Sequence, residues 1–162
     1  MTRRRTLVTM IAAVVVMLVA IGSVGALVVR HQRLDAQESA RADVVRVASD
    51  QAVAMLSYRH ETVDEQLAAA AGGLTGDFRD QYQKLVAEAV APSAKEKSID
   101  TAVTVAGASV ESLDGRDATV LLFLNQVTTS AETPDPTTTG SRVTVGLTDV
   151  DGNWAVSGLA PV

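Results

Sequence analysis

The feature that most constrains this chain is an uncharged apolar segment close to its first residue. Residues 6–29, 24 in all, include no charged side chain and consist mainly of Val, Ala, Leu, Ile and Met. As an α-helix they would extend about 36 Å, enough to cross a hydrocarbon core of about 30 Å with some tilt. Backbone groups inside lipid must bond within their own segment, so a helix is the expected form. We therefore predict a transmembrane anchor that attaches the protein to the membrane through residues 6–29.

A cleaved signal peptide is the alternative interpretation of the same segment. Arg3–Arg5 would form its basic region, and Ser23-Val24-Gly25 or Val24-Gly25-Ala26 could serve as a small-residue cleavage site. The apolar region of a signal peptide usually spans about 7–15 residues, whereas apolar residues continue here to Val29. The length of the run favours an anchor that stays in place.

The orientation of the anchor follows less directly from charge. Three arginines precede the segment, but Arg30 and Arg33 follow it closely, so the positive-inside comparison is nearly balanced. A short N-terminal tail with a translocated acidic domain is the commoner arrangement. We predict a single-pass cell-membrane protein with a cytoplasmic N-terminus and an extracytoplasmic C-terminal domain.

The rest of the chain is acidic and contains no cysteine. Residues 34–162 include 9 Lys and Arg against 19 Asp and Glu, a net charge of −10. Such a surface argues against nucleic acid as a partner, because phosphate contacts require clustered Lys and Arg. The absence of cysteine excludes disulfides, thiol nucleophiles and Cys-ligated zinc. About 129 residues are enough for one domain with a core of its own.

Helical periodicity dominates the first half of this acidic part. Asp35–Tyr58 predicts a helix, and Thr62–Ala71 predicts a shorter helix that ends at Gly72-Gly73. The apolar stripe of the first helix is Val45, Ala48, Ala52, Met55 and Leu56.

A third helix is predicted after Gly76. Thr75 or Asp77 would cap its N-terminus, and it would end near Val90, before Pro92. One face of this helix carries Phe78, Tyr82, Leu85 and Ala89.

From Ile99 the pattern changes from helical spacing to alternation. Val103 and Val105 predict a first strand, with Val110 as its farthest extent. Asp114-Gly115 predicts a turn, and the apolar run Ala118–Leu124 predicts a strand covered on both faces.

The last third of the chain predicts one more pair of strands. Residues 129–140, rich in Ser, Thr and Pro, predict a polar surface loop. Val143, Val145 and Leu147 alternate with smaller or polar residues, and Asp151-Gly152-Asn153 predicts a turn before a final strand that begins at Trp154. Trp154 itself is expected in the core or at its edge.

These elements predict an α+β fold with helices packed on one face of a curved antiparallel sheet. We divide the chain into residues 1–33, a short cytoplasmic tail and anchor; residues 34–60, a stalk that is also the first helix of the soluble domain; and residues 61–162, the remainder of that domain.

Reactive groups are sparse. The histidines are His31 and His60, and His31 would lie at the membrane edge, so a site built on two histidines is not expected. The polar cluster Tyr58–Asp64 could hold a proton donor, although such clusters are more often solvated helix ends. We predict no catalytic, cofactor-binding or metal-binding residue and no cofactor.

Five segments, taken in order, resemble the Mce-associated membrane proteins of mycobacteria. They are Ala-Met-Leu-Ser-Tyr at 54–58, Leu-Thr-Gly-Asp-Phe-Arg-Asp-Gln-Tyr at 74–82, Ala-Lys-Glu-Lys at 94–97, Ala-Thr-Val-Leu-Leu-Phe-Leu-Asn-Gln at 118–126 and Asp-Gly-Asn-Trp-Ala-Val-Ser-Gly-Leu at 151–159. The resemblance covers nearly the whole chain. It implies an accessory subunit of an Mce transporter, which moves lipids such as fatty acids or sterols across the cell envelope. It also implies a soluble domain similar to the nuclear-transport-factor-2-like cone, with no catalytic motif to carry over.

Three functions are compatible with these observations. The first is a non-enzymatic factor that stabilises or assembles an Mce-type lipid importer, with Mce transporter subunits as partners. The second is ligand binding or isomerase-like catalysis in the mouth of the cone, for which Tyr58, His60 and Tyr82 are the candidates. The third is a secretion-system scaffold component, which has the same architecture and a different partner.

Overall fold

The computed structural model describes residues 38–162 of the chain. The predicted anchor at residues 6–29 and the tail before it lie outside the described residues. Within residues 38–162, no helix combines the length and apolar character that a membrane crossing requires. Residues 41–162 form one compact unit.

The first helix, α1, includes residues 38–56 and packs through a narrow stripe of small and apolar side chains. The buried positions are Val44, Ala48, Ala52 and Met55. The prediction placed Val45 and Leu56 in this stripe, but both are only half-buried. Val44 lies four residues before Ala48 and therefore on the same face, whereas Val45 lies at its margin.

Three further helices follow: α2 is Val63–Ala70, α3 is Gly76–Leu85 and α4 is Ala91–Lys97. A 3-10 turn, Ala71–Gly73, follows α2 at the predicted glycine pair, and Thr75 occupies the N-cap position of α3 without a side-chain capping bond.

The predicted helix end at Pro92 is wrong. The chain stays helical through a π-helical turn, Val86–Val90, and then through α4 to Lys97. In the π turn the Ala91 N–H bonds to the Val86 carbonyl, five residues back. Pro92 therefore falls in the first turn of α4, where a missing N–H is tolerated.

Four antiparallel strands form a meander in the order β1-β2-β3-β4. Their bounds are Asp100–Asp114 (β1), Asp117–Thr129 (β2), Thr137–Val150 (β3) and Asn153–Pro161 (β4). Both predicted turns are present, with Gly115 and Gly152 at positive φ. Trp154 is half-buried against the core, as expected.

Two strands are longer than predicted. β1 continues past Val110 to Asp114. The sequence did not predict this continuation, because bulges at Ala106 and Glu111 shift the register against β2 and interrupt the alternation that marks a strand. β3 begins at Thr137, so the loop covers residues 130–136 rather than 129–140. Its threonine-rich beginning is polar but suits a strand, since threonine is β-branched.

The sheet is covered on one face, contrary to the prediction for Ala118–Leu124. Ala118, Val120, Leu122 and Leu124 are buried, whereas Phe123 between them is 43% exposed. The buried positions share one core with Leu67 of α2 and with Leu74. The α+β architecture with helices on one side of an antiparallel sheet is thus confirmed.

Candidate functional site

The polar cluster Tyr58–Asp64 fastens the segment after α1 to the start of β1. The backbone N–H of His60 donates to Oδ1 of Asp100 at 2.8 Å, and His60 Nδ1 lies 2.7 Å from the same oxygen. Tyr58 and Thr101 exchange backbone hydrogen bonds of 2.9 and 2.8 Å. Asp64 forms an ion pair with Lys95 of α4. His60 and the backbone of Tyr58 are thus bonded to the start of β1, and Asp64 joins α2 to α4.

These bonds also set the ionisation of Asp100. The hydrogen bond from the His60 backbone, followed by that from its side chain, holds the pKa of the Asp100 carboxyl below its usual range. The charged form of Asp100 is the form that accepts these bonds. The pair is therefore suited to holding β1 in place.

A cavity of about 370 Å³ opens between the helices and the sheet. Its helical wall includes Leu56, Phe78, Leu85, Val86 and Val90, and α2 contributes Leu67. Val86 lies four residues after Tyr82 and therefore on the same face. Val90 lines the cavity in place of the predicted Ala89, because the π turn shifts the positions at its end.

The polar part of the lining comes from the sheet, from the segment after α1 and from α3. Thr101 comes from β1, Gln126 from β2, and Tyr58 from the segment after α1, while Gln81 and Tyr82 come from α3. Gln126 donates its side-chain N–H to Thr128 Oγ1 at 3.2 Å.

Tyr82 connects α3 to α1 from the wall of this cavity. Its hydroxyl donates to the backbone carbonyl of Met55 at 3.1 Å. Burial raises the pKa of Tyr82 to about 12, so the phenol stays neutral across the physiological range. A neutral phenol bonded to a backbone carbonyl holds two helices together rather than exchanging protons.

The structure brings together two of the three candidate residues. Tyr58 and Tyr82 both line the cavity, whereas His60 is held by Asp100 and is not part of the lining. Sequence reasoning missed Gln81 and Gln126. No local pattern in the sequence marks these two glutamines, which only the packing of α3 against the sheet brings to one cavity. Among residues 38–162, no group of three or more His, Asp or Glu side chains is placed to hold a metal ion.

The family of this chain is decided by sequence comparison. Residues 5–161 match the family model described as "Uncharacterized protein Rv1363c/MT1408-like". The chain belongs to this family. One relative of this Rv1363c/MT1408-like protein is the uncharacterized protein Rv1362c of Mycobacterium tuberculosis. It is 40% identical over 152 residues, which cover 92% of this chain and 69% of the relative. A second, named outer membrane protein Rv1973 and from the same organism, is 42% identical over 123 residues, covering 76% of each chain.

Solved structures show which fold the Rv1363c/MT1408-like chain adopts. An IcmL-like type IV secretion system protein from Legionella pneumophila superposes with a TM-score of 0.64 at 15% identity, covering 75% of this chain and 93% of that one. The periplasmic domain of DotI gives 0.63 at 19% identity, covering 74% and 92%. A nuclear-transport-factor-2-like protein from Salmonella enterica gives 0.53 at 7% identity, covering 75% and 91%. The predicted cone fold is confirmed, while the resemblance to Mce-associated proteins stays a prediction.

Proposed function

We propose that this protein is a non-enzymatic accessory subunit of a membrane complex in the cell envelope, where it stabilises or assembles the other subunits. The observation that carries the proposal is that two of the three candidate side chains, His60 and Tyr82, are hydrogen-bonded within the fold. His60 is held by Asp100, and the Tyr82 hydroxyl donates to the Met55 carbonyl. Burial raises the pKa of Tyr82 to about 12, whereas general acid-base catalysis needs a group with a pKa near the working pH.

A location in the envelope has two independent supports. One relative at 42% identity is named an outer membrane protein, and the DotI structure is of a periplasmic domain. The uncharged segment at residues 6–29 agrees with a membrane anchor. We propose a single-pass protein with its N-terminus in the cytoplasm and residues 38–162 outside it.

Mce transporter subunits are the partners we propose, on the strength of the five segments that resemble Mce-associated proteins. In that role the protein would support a lipid importer without taking part in any covalent step. A scaffold in a secretion-type machine is the second candidate, and the fold shared with the IcmL-like protein and DotI favours it. The two candidates differ in the identity of the partner.

Affinity purification of the intact protein from its native membrane distinguishes these partners. We expect Mce transporter subunits to co-purify with the full chain, and we expect their abundance to fall when the gene is deleted. Recovery of secretion-machine components instead would favour the second candidate. Normal levels of every co-purifying subunit in the deletion strain would contradict both.

Complementation of the deletion tests the non-enzymatic part. Tyr82→Phe and His60→Asn remove the groups that chemistry would use, and we expect both variants to restore partner levels as the wild type does. A variant lacking residues 6–29 is the control that should fail. Loss of function in Tyr82→Phe or His60→Asn, with the variant present at normal abundance, would point to catalysis.

A further inference from the structure

The lining of the cavity between helices and sheet carries no charge. None of its thirteen lining residues, all within the described part of the chain, is Asp, Glu, Lys, Arg or His. Protein interiors seldom contain voids much larger than a water molecule, and sites for small molecules occupy about 300–1,000 Å³. A space of about 370 Å³ with a mainly apolar wall has the size and character of such a site.

The cavity is open to entry along α3. Leu85 is 56% exposed, Gln81 is exposed and Val86 is half-buried, and all three line the cavity. An occupant would therefore cover apolar surface that now meets solvent at Leu85. Removal of that surface from water favours binding in proportion to its area.

The uncharged lining should favour a neutral ligand over an anionic one. Burial disfavours the charged form of Tyr82 and raises its pKa, which shows that this part of the wall is poorly solvated. A carboxylate held beside Tyr82 would lose hydration without a cation in the lining to compensate for it.

A neutral oxygen would meet suitable partners on the same wall. Gln126 donates a side-chain N–H to Thr128, and within residues 38–162 its amide oxygen accepts no hydrogen bond, so it can accept one from a hydroxyl. The Gln81 amide and the Thr101 hydroxyl both line the cavity and can donate to a carbonyl.

We propose that this cavity binds a neutral, largely apolar molecule that carries one hydroxyl or carbonyl group, and that it rejects a carboxylate of the same chain length. The proposal goes beyond the accessory role and does not rest on it. Binding is measured on the isolated protein, and partner stabilisation is measured in cells, so either can fail alone.

A matched pair of probes, 1-decanol and decanoate, tests the proposal on the full chain in phosphatidylcholine nanodiscs. The chain has four methionines, and Met55 is the one within residues 38–162. Met55 lines the cavity and is 5% exposed, so its ¹³C-labelled methyl group reports occupancy by NMR. At pH 8.5 we expect a saturable shift of this signal with 1-decanol and at least tenfold weaker binding of decanoate. Empty nanodiscs calibrate the free concentration of each probe.

Two cavity variants and one control locate the site. Val86→Phe fills the cavity from its wall, and Leu85→Trp obstructs its exposed mouth. Val150→Phe makes the same change as the first at an exposed residue outside the lining. We expect the two cavity variants to weaken 1-decanol binding at least tenfold and the control to bind as the wild type does. If Val86→Phe disturbs the fold, Leu85→Trp alone decides.

Three results would overturn the proposal. The first is a Met55 signal that does not respond saturably to 1-decanol. The second is equal affinity for the two probes, which would remove the charge argument. The third is undiminished 1-decanol binding in a folded Leu85→Trp variant, which would place the site elsewhere.

Discussion

Gly115 and Gly72 differ in backbone conformation, although both have open space where a side chain would lie. Gly115 has a φ of +58° in the β1–β2 turn, a conformation that L-residues avoid. We expect Gly115→Ala to lower the free energy of unfolding by about 1–2 kcal/mol. Gly72→Ala is the matched control and should leave stability unchanged or raise it by up to about 1 kcal/mol. Denaturant unfolding followed by the fluorescence of Trp154, the single tryptophan, measures both. Equal losses in the two variants would contradict the conformational explanation.

The lowered pKa of Asp100 predicts that the free energy of unfolding decreases at acidic pH. Because its pKa is lowered in the folded state, its contribution to stability is present above the unfolded value of about 3.9 and is lost as the pH falls through the folded value. Asp100→Asn should therefore be less stable than the wild type at pH 7, by no more than about 1 kcal/mol for so exposed a pair. The difference should shrink as the pH falls below about 4.

The exposed loop residue Asp135 provides the comparison for this measurement. Asp135→Asn lies outside the junction of helix and sheet, and we expect no matching loss at pH 7. A wild type and an Asp100→Asn variant that stay equally stable from pH 7 down to pH 3 would show that the carboxylate does not fasten β1.

At the scale of elements, the buried side chains of β2 all lie on one face of the sheet, and we expect that face to contribute most to stability. Leu122 is fully buried, whereas the adjacent Leu121 points to the opposite face and is half-buried. We expect Leu122→Ala to cost about 2–5 kcal/mol, because it leaves a cavity in the core. Leu121→Ala should cost clearly less. Comparable losses, measured by denaturant unfolding of the two variants, would mean that the outer face is also covered.

Local signals predicted most elements and failed where an element depends on its neighbours. The helices, the two turns and the strand at Val143–Leu147 follow from periodicity and from turn residues. Pro92 predicted a helix end, because proline lacks the N–H that a helix interior uses. The π turn just before it places Pro92 in the first turn of α4, so the chain stays helical. The run at Ala118–Leu124 predicted a strand with two covered faces, because a run with six apolar residues out of seven looks alike whether one face or both are buried.

At the scale of the whole molecule, the absence of cysteine makes orientation directly testable. Thr2→Cys and Thr133→Cys place one thiol before the apolar segment and one in the exposed loop 130–136. With a membrane-impermeant maleimide on intact cells, we expect labelling of Thr133→Cys and none of Thr2→Cys until the cells are lysed. Labelling of Thr2→Cys alone would reverse the orientation, and recovery of Thr133→Cys as a freely soluble species would favour the signal-peptide alternative.

The sequence by itself determined the apolar segment, the acid excess, the order of helices and strands and the places where the chain turns. Each of these depends on residues that are near neighbours along the chain, so their patterns can be read locally. Only the tertiary structure decided which face of the sheet is covered, that His60 binds Asp100 forty residues away, and that Tyr58, Tyr82 and Gln126 line one cavity. These arrangements come from packing between segments that are distant in sequence. The spacing of residues within one segment does not show which other segment it will contact.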